Sequence, residues 1–355
     1  MFSPSQFRDL VSGRRRGPGP ALMRLGLRAV ETPYAMAIRG RNWWYDTQTG
    51  AVDRVSVPVI SVGNLTLGGT GKTPMVRWIA QWFRREGVRV TLISRGYGAE
   101  AGAQSDEALE LEQGLPDVPH LENPDRVEAA RLAVEELDCQ LVVLDDAFQH
   151  RRIHRDLDVV MLDALEPFGF RHVFPRGTLR EPVSGLRRAD VVVLSRADTL
   201  EPEQRARIRN EVRRHAPQSD WAEVVHAPQA LRSSTGESRS LDTLRGQPVA
   251  AFCGIGNPEG FKHTLEQCGY RAVAFREFPD HHGYTRTDVE SLTGWAERLD
   301  VAAVVSTHKD LVKLGVDRLG RQPLWAVTIG LEFLAGQGDL EAKLQALVPM
   351  RKDEG

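Results

Sequence analysis

"SVGNLTLGGTGKTPMVRW", residues 61–78, decides how the rest of the chain is read. A phosphate-binding loop follows the pattern Gly, four residues, then Gly-Lys-Ser/Thr. Counting back from Gly71-Lys72-Thr73 puts Thr66 at the first position instead of glycine. Threonine is tolerable there if the backbone enters the loop with negative φ, because only a positive φ calls for glycine. The flanks fit such a loop. VSVPVISVG before it is rich in Val and Ile and predicts a buried strand. PMVRWIAQWFRREG after it sets Met75, Ile79, Trp82 and Phe83 at helical spacing, and Pro74 suits a first helical turn. Strand, glycine-rich turn and helix make a phosphate cradle. The amides of Gly69, Thr70, Gly71 and Lys72 point inward at a helix N-terminus, where the dipole also favours an anion. Gly68 and Gly69 carry no Cβ, so the backbone approaches the phosphates closely. Lys72 then reaches the β- and γ-phosphates of a nucleotide, and the Thr73 hydroxyl ligates Mg²⁺.

Composition limits the alternatives. The chain has 355 residues, enough for one large or two ordinary domains, and is 41% hydrophobic and 26% charged, as expected of a soluble globular protein. A net charge of -2 supplies no global field for nucleic acid. Cys139, Cys253 and Cys268 lack metal-site spacing and suit a reducing cytoplasm. MFSPSQFRDLVSGRRRG has no apolar stretch ahead of its charges, so it does not read as a secretory signal. No run approaches the roughly 18 apolar residues of a spanning helix.

Further strands follow the loop. VRVTLISRGYG ends at Arg95, just past the carboxyl end of a strand, where open α/β sheets bind ligands. That position suits a phosphate contact or an ordinary surface arginine. CQLVVLDDAFQH gives a short apolar strand ending in Asp145-Asp146. Paired aspartates also occur at ordinary strand ends and helix caps. Downstream of a phosphate loop they offer the hard oxygens Mg²⁺ needs. DLDVVMLDA and ADVVVLSRAD add strands. The alternation implies an α/β fold of P-loop NTPase type, a mainly parallel sheet with helices on both faces.

The runs SVGNLTLGGTGKTP, SRGYG, SDEALEL, LDDAFQHRRIHRDLDVV, FPRGTLREP, FPDHHGYT and STHKDLVKL, in this order, resemble the tetraacyldisaccharide 4'-kinases of lipid A synthesis from about residue 20 to the C-terminus. The loop with a double glycine before Gly-Lys-Thr is that family's own form. Three stretches depart from the family's usual motifs. Ser105-Asp106-Glu107-Ala108 stands for Gly-Asp-Glu-Pro, Thr307-His308-Lys309-Asp310 for Thr-Glu-Lys-Asp, and Pro175-Arg176-Gly177-Thr178-Leu179-Arg180-Glu181 for Pro-Ala-Gly-Pro-Leu-Arg-Glu. The resemblance implies ATP-dependent phosphorylation of the 4'-hydroxyl of an acylated glucosamine disaccharide 1-phosphate. It also implies Asp106 as general base with His281 orienting it, Arg180 stabilising charge on the transferred group, and Glu181 assisting Mg²⁺ or orienting Arg180. Asn64, Arg95 and Tyr97 are the expected contacts to the substrate or its 1-phosphate.

The N-terminal segment, residues 1–50, supplies a route to a lipid. Met23, Leu27, Val30, Tyr34 and Ile38 recur at spacings of three and four, followed by Trp43, Trp44 and Tyr45, with Arg14-Arg15-Arg16 upstream. This is the pattern of an interfacial amphipathic helix on anionic headgroups, and so of a peripheral protein on the cytoplasmic face of the inner membrane. The competing reading is an amphipathic helix packed on the core and kinked near Pro33. A P-loop kinase domain is expected over 51–231 and a smaller C-terminal α/β lobe over 241–355. The polar RSSTGESRS, residues 232–240, would be the linker. Gly254-Ile255-Gly256-Asn257-Pro258 is only part of a dinucleotide fingerprint and reads as a tight turn. A partner-regulated ATPase switch would carry lysine where Leu67 stands. A soluble small-molecule kinase would not need the Trp-rich N-terminus, and a non-enzymatic nucleotide-binding module would need no base. No protein partner is inferred.

Overall fold

The computed structural model describes residues 4–96, 111, 114–280 and 282–349. Two compact units divide them. The first takes in the N-terminal residues, Gly114–Val225 and the segment from Glu332 onward, and the second takes in His226–Leu331.

In the first unit, helices α1 (Pro4–Val11) and α2 (Pro18–Thr47) precede strand β1 (Val59–Asn64), which is buried along its whole length. Helix α3 (Lys72–Arg85) follows the glycine-rich turn and buries Met75, Val76, Ile79, Ala80 and Phe83. The remaining strands are β2 (Val90–Ser94), β3 (His120–Glu122), β4 (Leu141–Asp145), β5 (Leu157–Asp163), β6 (Val191–Ser195) and the first part of β7 (Asp220–Arg232). Their order is β7-β6-β5-β1-β4-β2-β3, and the pairings between them are parallel. Apolar runs of Val, Ile and Leu buried on both faces explain that choice, because a parallel sheet must be covered on each side. Val59, Val142 and Leu144 pack with Val127, Ala130 and Ala133 of the helix Arg126–Glu136, while Val160, Leu162, Val192 and Leu194 pack with Val212 of the helix Pro202–His215. The fold is the P-loop NTPase-like α/β arrangement expected. β1 stands between β4 and β5, with Val62 opposite Asp145, so the loop after β1 opens beside the acidic end of β4.

The second unit holds the end of β7, a two-residue strand β8 (Ser238–Arg239), β9 (Pro248–Cys253), β10 (Arg271–Glu277), β11 (Ala303–Thr307), β12 (Arg318–Leu319) and the start of β13 (Gln322–Ala335). β10, β9, β11 and β13 pair in parallel in that order, and β12 pairs antiparallel with β13. Gly254–Pro258 is a tight turn. Asn257 caps the helix Pro258–Gln267 by accepting from the Gly260 N–H at 3.1 Å. Thr307 caps the helix His308–Leu314, and buried Asp310 accepts from the Gly254 N–H at 3.0 Å and the Tyr284 hydroxyl at 2.9 Å. The Thr307–Asp310 stretch therefore braces this unit.

The chain is divided at places other than those expected. Residues 232–240 form a hairpin, not a linker, with Leu231 opposite Arg239 and Arg232 opposite Ser238. Polar composition marks a tight turn as readily as a linker. The passage between units lies within β7, at Val225/His226. The C-terminal segment returns to the first unit, where Phe333 packs on Trp78 with ring centroids 4.8 Å apart and Lys343 pairs with Asp220 at 3.2 Å.

Helix α2 is continuous through Pro33. The face it turns inward differs from the expected stripe. Leu27, Glu31, Ala35, Ile38 and Asn42 are the covered positions, whereas Met23, Val30 and Tyr34 are exposed. The anchors are polar. Glu31 pairs with His172 at 3.2 Å and Arg176 at 3.1 Å, and Asn42 donates to Glu181 at 2.9 Å. No described helix is long and apolar enough to cross a membrane.

Candidate phosphate-binding and catalytic site

Thr66 stands where a glycine is usual because the loop enters in extended form. Thr66 bridges Leu179 in antiparallel register, the Leu67 N–H donates to the Thr178 carbonyl at 2.7 Å, and the Arg180 N–H donates to the Leu65 carbonyl at 2.7 Å. The positive φ falls later, at Gly68 (116°) and Gly71 (82°). Gly63, just before, is required by packing, since a Cβ there would meet Phe148 at 2.6 Å.

The loop's carbonyls are tied from two sides. Buried Asn64 donates to the Thr66 carbonyl at 2.8 Å and the Gly68 carbonyl at 3.4 Å. From the end of β6, the Ser195 hydroxyl donates to the Thr70 carbonyl at 2.8 Å, and Arg196 donates to the Gly69 carbonyl at 2.6 Å while pairing with Asp163 at 2.9 Å. With the carbonyls engaged outward, the amides are left for an anion. Asn64, expected at the substrate, braces the loop through its side-chain amide. Ser195 and Arg196 were not singled out from sequence, although polar residues ending the apolar ADVVVLS run follow the logic that marked Asp145.

Two cations meet one carboxylate beside the loop. Lys72 Nζ lies 3.6 Å from Asp146 Oδ1, and Arg180 Nη1 lies 2.7 and 2.9 Å from the two Asp146 oxygens. Burial acts to raise the Asp146 pKa, but Lys72 and Arg180 outweigh it and the net shift is downward. Asp145 is buried at the end of β4. Arg126, buried in the first turn of its helix, feels both aspartates. Burial and exposed Arg95 lower its pKa against their upward pull. Sequence gave no sign of Arg126, since an arginine in a first helical turn ordinarily reads as solvated.

Glu181 does not contact Arg180. Its fully buried carboxylate accepts from Arg188 at 2.8 and 3.0 Å, Asn42 at 2.9 Å and Gln149 at 3.0 Å. It reaches Arg180 only through Gln149, whose Oε1 lies 3.5 Å from Arg180 Nη1. These contacts tie the segment that carries Arg180 to α2 and to the turn after β4. Tyr97, Asp106 and His281 lie outside the described residues. His282, next to His281, is held by Asp288 at 3.2 Å.

Among the described residues, no cluster of three or more His, Cys, Asp or Glu is placed to hold a metal. Mg²⁺ needs only one or two protein oxygens when it arrives on a nucleotide, because phosphate and water complete its shell. The Thr73 hydroxyl in the first turn of α3 and the carboxylates ending β4 fit that donor set.

The sequence model of the LpxK family, described as tetraacyldisaccharide-1-P 4'-kinase, matches residues 23–349. The chain belongs to this family. It is 41% identical over 353 residues to the tetraacyldisaccharide 4'-kinase of Anaeromyxobacter sp. strain K, covering 94% of this chain and 93% of that one. It is 34% identical to the tetraacyldisaccharide 4'-kinase of Geobacter sulfurreducens, covering 96% and 98%. The crystal structure of LpxK from Aquifex aeolicus in complex with ATP superposes with a TM-score of 0.72 at 27% identity, covering 92% of this chain and all of that one. As a member of the tetraacyldisaccharide-1-P 4'-kinase family, the chain is a kinase, a phosphotransferase with an alcohol acceptor. A partner-regulated ATPase switch is not favoured.

Proposed function

We propose that this chain transfers the γ-phosphoryl group of ATP to the 4'-hydroxyl of tetraacyldisaccharide 1-phosphate in lipid A synthesis, working as a peripheral protein on the cytoplasmic face of the inner membrane. The observation that carries the reading is the convergence of Lys72 and Arg180 on Asp146 beside a braced phosphate loop. Before nucleotide binds, Asp146 holds both cations in place. The phosphate chain then takes over as their partner. Lys72 bears on the β- and γ-phosphates, and Arg180 on charge developing on the transferred group.

Mg²⁺, held by the Thr73 hydroxyl and by Asp145 or Asp146, would neutralise phosphate charge. Asp106 takes the proton of the 4'-hydroxyl and His281 orients it, roles that rest on the resemblance of their motifs. Arg95 and Tyr97 are assigned to the acceptor on the same basis, and Arg95 adds cationic field near Arg126. Helix α2 brings the protein to its lipid through the apolar side chains it leaves exposed, among them Leu22, Leu25, Met36 and Trp43.

The test is transfer of labelled phosphate from ATP to the acylated disaccharide 1-phosphate in detergent micelles. The parent should label the lipid and Lys72→Ala should lose most of that activity. Near-normal turnover in Lys72→Ala would refute the phosphate cradle, and labelling of soluble sugars in preference to the lipid would refute the acceptor.

A further inference from the structure

We infer that Arg8 is a further catalytic residue of this phosphoryl transfer, contacting the phosphate chain of ATP from the open side of the loop. The inference rests on the phosphate-cradle reading above and adds a residue that precedes the family-matched segment 23–349.

The placement is specific. Gly68 is exposed at the rim of the loop, with φ 116°. A Cβ built on it would lie 3.4 Å from Arg8 Nη2, so the guanidinium rests on the loop itself. Helix α1 is fastened there by residues on both sides of Arg8. Leu10 and Val11 are buried, Arg24 of α2 donates to the Leu10 carbonyl at 3.4 Å and to the Arg15 carbonyl at 2.9 Å, and the Phe7 ring packs 6.3 Å from Phe174. Eight residues form no stable helix alone in water, so these contacts are what set the position of Arg8.

The electrostatics point to an anion. The other cations at the loop have partners in the resting protein. Lys72 and Arg180 share Asp146, and Arg196 takes Asp163 and the Gly69 carbonyl. The Arg8 side chain makes no hydrogen bond or ion pair among the described residues, the Arg8 carbonyl accepting from the Ser12 N–H at 2.9 Å. Its charge rests at Gly68 on the loop that leads into the N-terminus of α3, the positive end of that helix's dipole. Such an arrangement is unfavourable until a polyanion occupies the cradle, and a triphosphate is the anion the cradle fits. In the reaction the bond from Pγ to the β–γ bridging oxygen breaks as the bond from Pγ to the sugar 4'-oxygen forms. The hydroxyl proton goes to the general base and the electron pair leaves with ADP. Charge builds on the γ-oxygens and on the departing β-phosphate. A planar guanidinium donates two parallel N–H bonds to that group, which an ammonium cannot do.

The experiment uses the full chain with Mg²⁺, ATP and the acylated disaccharide 1-phosphate in micelles, comparing the parent with Arg8→Ala, Arg8→Lys and Lys72→Ala. An arginine acting on the transferred phosphoryl group is worth about 10³-fold or more in kcat. Arg8→Ala is expected to lose about that factor while its thermal midpoint stays at the parental value, because the side chain is exposed. Arg8→Lys should recover only part of the loss, and added guanidinium ion should raise the turnover of Arg8→Ala without affecting the parent. If Arg8→Ala stays within about threefold of the parent in kcat and in KM for ATP while Lys72→Ala is inactive, Arg8 does not touch the reacting group. A loss that comes with a lowered midpoint and resists guanidinium would make Arg8 an anchor of α1 and overturn the inference. Retained turnover in Lys72→Ala would bring down the phosphate-cradle reading itself, a result distinct from either.

Discussion

Asp146 occupies the left-handed backbone region, φ 51°, which aspartate tolerates better than most side chains. That turn aims its carboxylate at Lys72 and Arg180. Its pKa is lower folded than unfolded, so the stabilisation is complete above the ordinary carboxylate range. It is lost only as pH falls through the folded value. Assays near neutral pH leave this trio intact. His150, four residues on, behaves differently. Burial first, then Arg126 and Arg155, push its pKa from 6.5 to about 4, and its Nε2 is buried without a hydrogen-bond partner. The unfolded chain therefore takes up a proton near pH 6.5 that the folded chain refuses until about pH 4. Stability is full above that window and falls as pH descends through it. Between pH 7.5 and 5 this one group should cost about 2 kcal/mol. Urea unfolding at both pH values should show His150→Gln losing less than the parent by roughly that amount. Equal losses in the two proteins would show that His150 titrates normally.

Three elements meet at Glu181. Asn42 of α2, Gln149 from the turn after β4, and Arg188 all point donors at its carboxylate. A Cβ on Gly185 would lie 2.5 Å from Glu181 Oε2, so the segment around Gly185 is closed over the pair as well. Breaking a buried pair by removing one charge costs about 3–5 kcal/mol, because the other charge is left uncompensated. Glu181→Gln should therefore lower the urea midpoint strongly, while the folded fraction keeps the parental Mg²⁺ requirement. An unchanged midpoint with an altered Mg²⁺ requirement would return Glu181 to the metal. The sequence left Glu181 between assisting Mg²⁺ and orienting Arg180, because the two stand side by side and nothing marks Arg188 as the partner. Elements built on periodicity and glycine were legible. β1, the loop and α3 follow from apolar spacing, and Asp145-Asp146 from the end of an apolar run. What stayed hidden was held by polar contacts distant in sequence. The inward face of α2 is set by Glu31 and Asn42, which read as solvent positions, and Thr66 is explained by Leu179, more than a hundred residues later.

The proposed membrane role rests at the scale of the whole molecule on the outward surface of α2. At 3.6 residues per turn, Leu22, Leu25, Met36 and Trp43 fall within about 60° of one another, roughly opposite the covered positions Leu27, Glu31, Ala35, Ile38 and Asn42. Leu22 is 71% exposed, Met36 65% and Trp43 66%. At 1.5 Å per residue this apolar stripe runs over about 32 Å of the 30-residue helix. Arg28 and Arg39 flank it, and exposed Arg14, Arg15 and Arg16 precede the helix. Outward apolar side chains on a helix tied to the body by Glu31 and Asn42 are what the proposed membrane contact requires. With vesicles of phosphatidylcholine and phosphatidylglycerol, the full chain should float with the lipid. Met36→Asp combined with Trp43→Asp should remain in the aqueous fraction with an unchanged thermal midpoint, since both side chains are mostly exposed. Each arginine near an anionic surface contributes about 1 kcal/mol and is screened within a Debye length, so raised salt should release part of the parent. Loss of the anionic lipid should mimic the salt. A double variant that floats as fully as the parent would show that the exposed stripe is not what holds the protein to the bilayer.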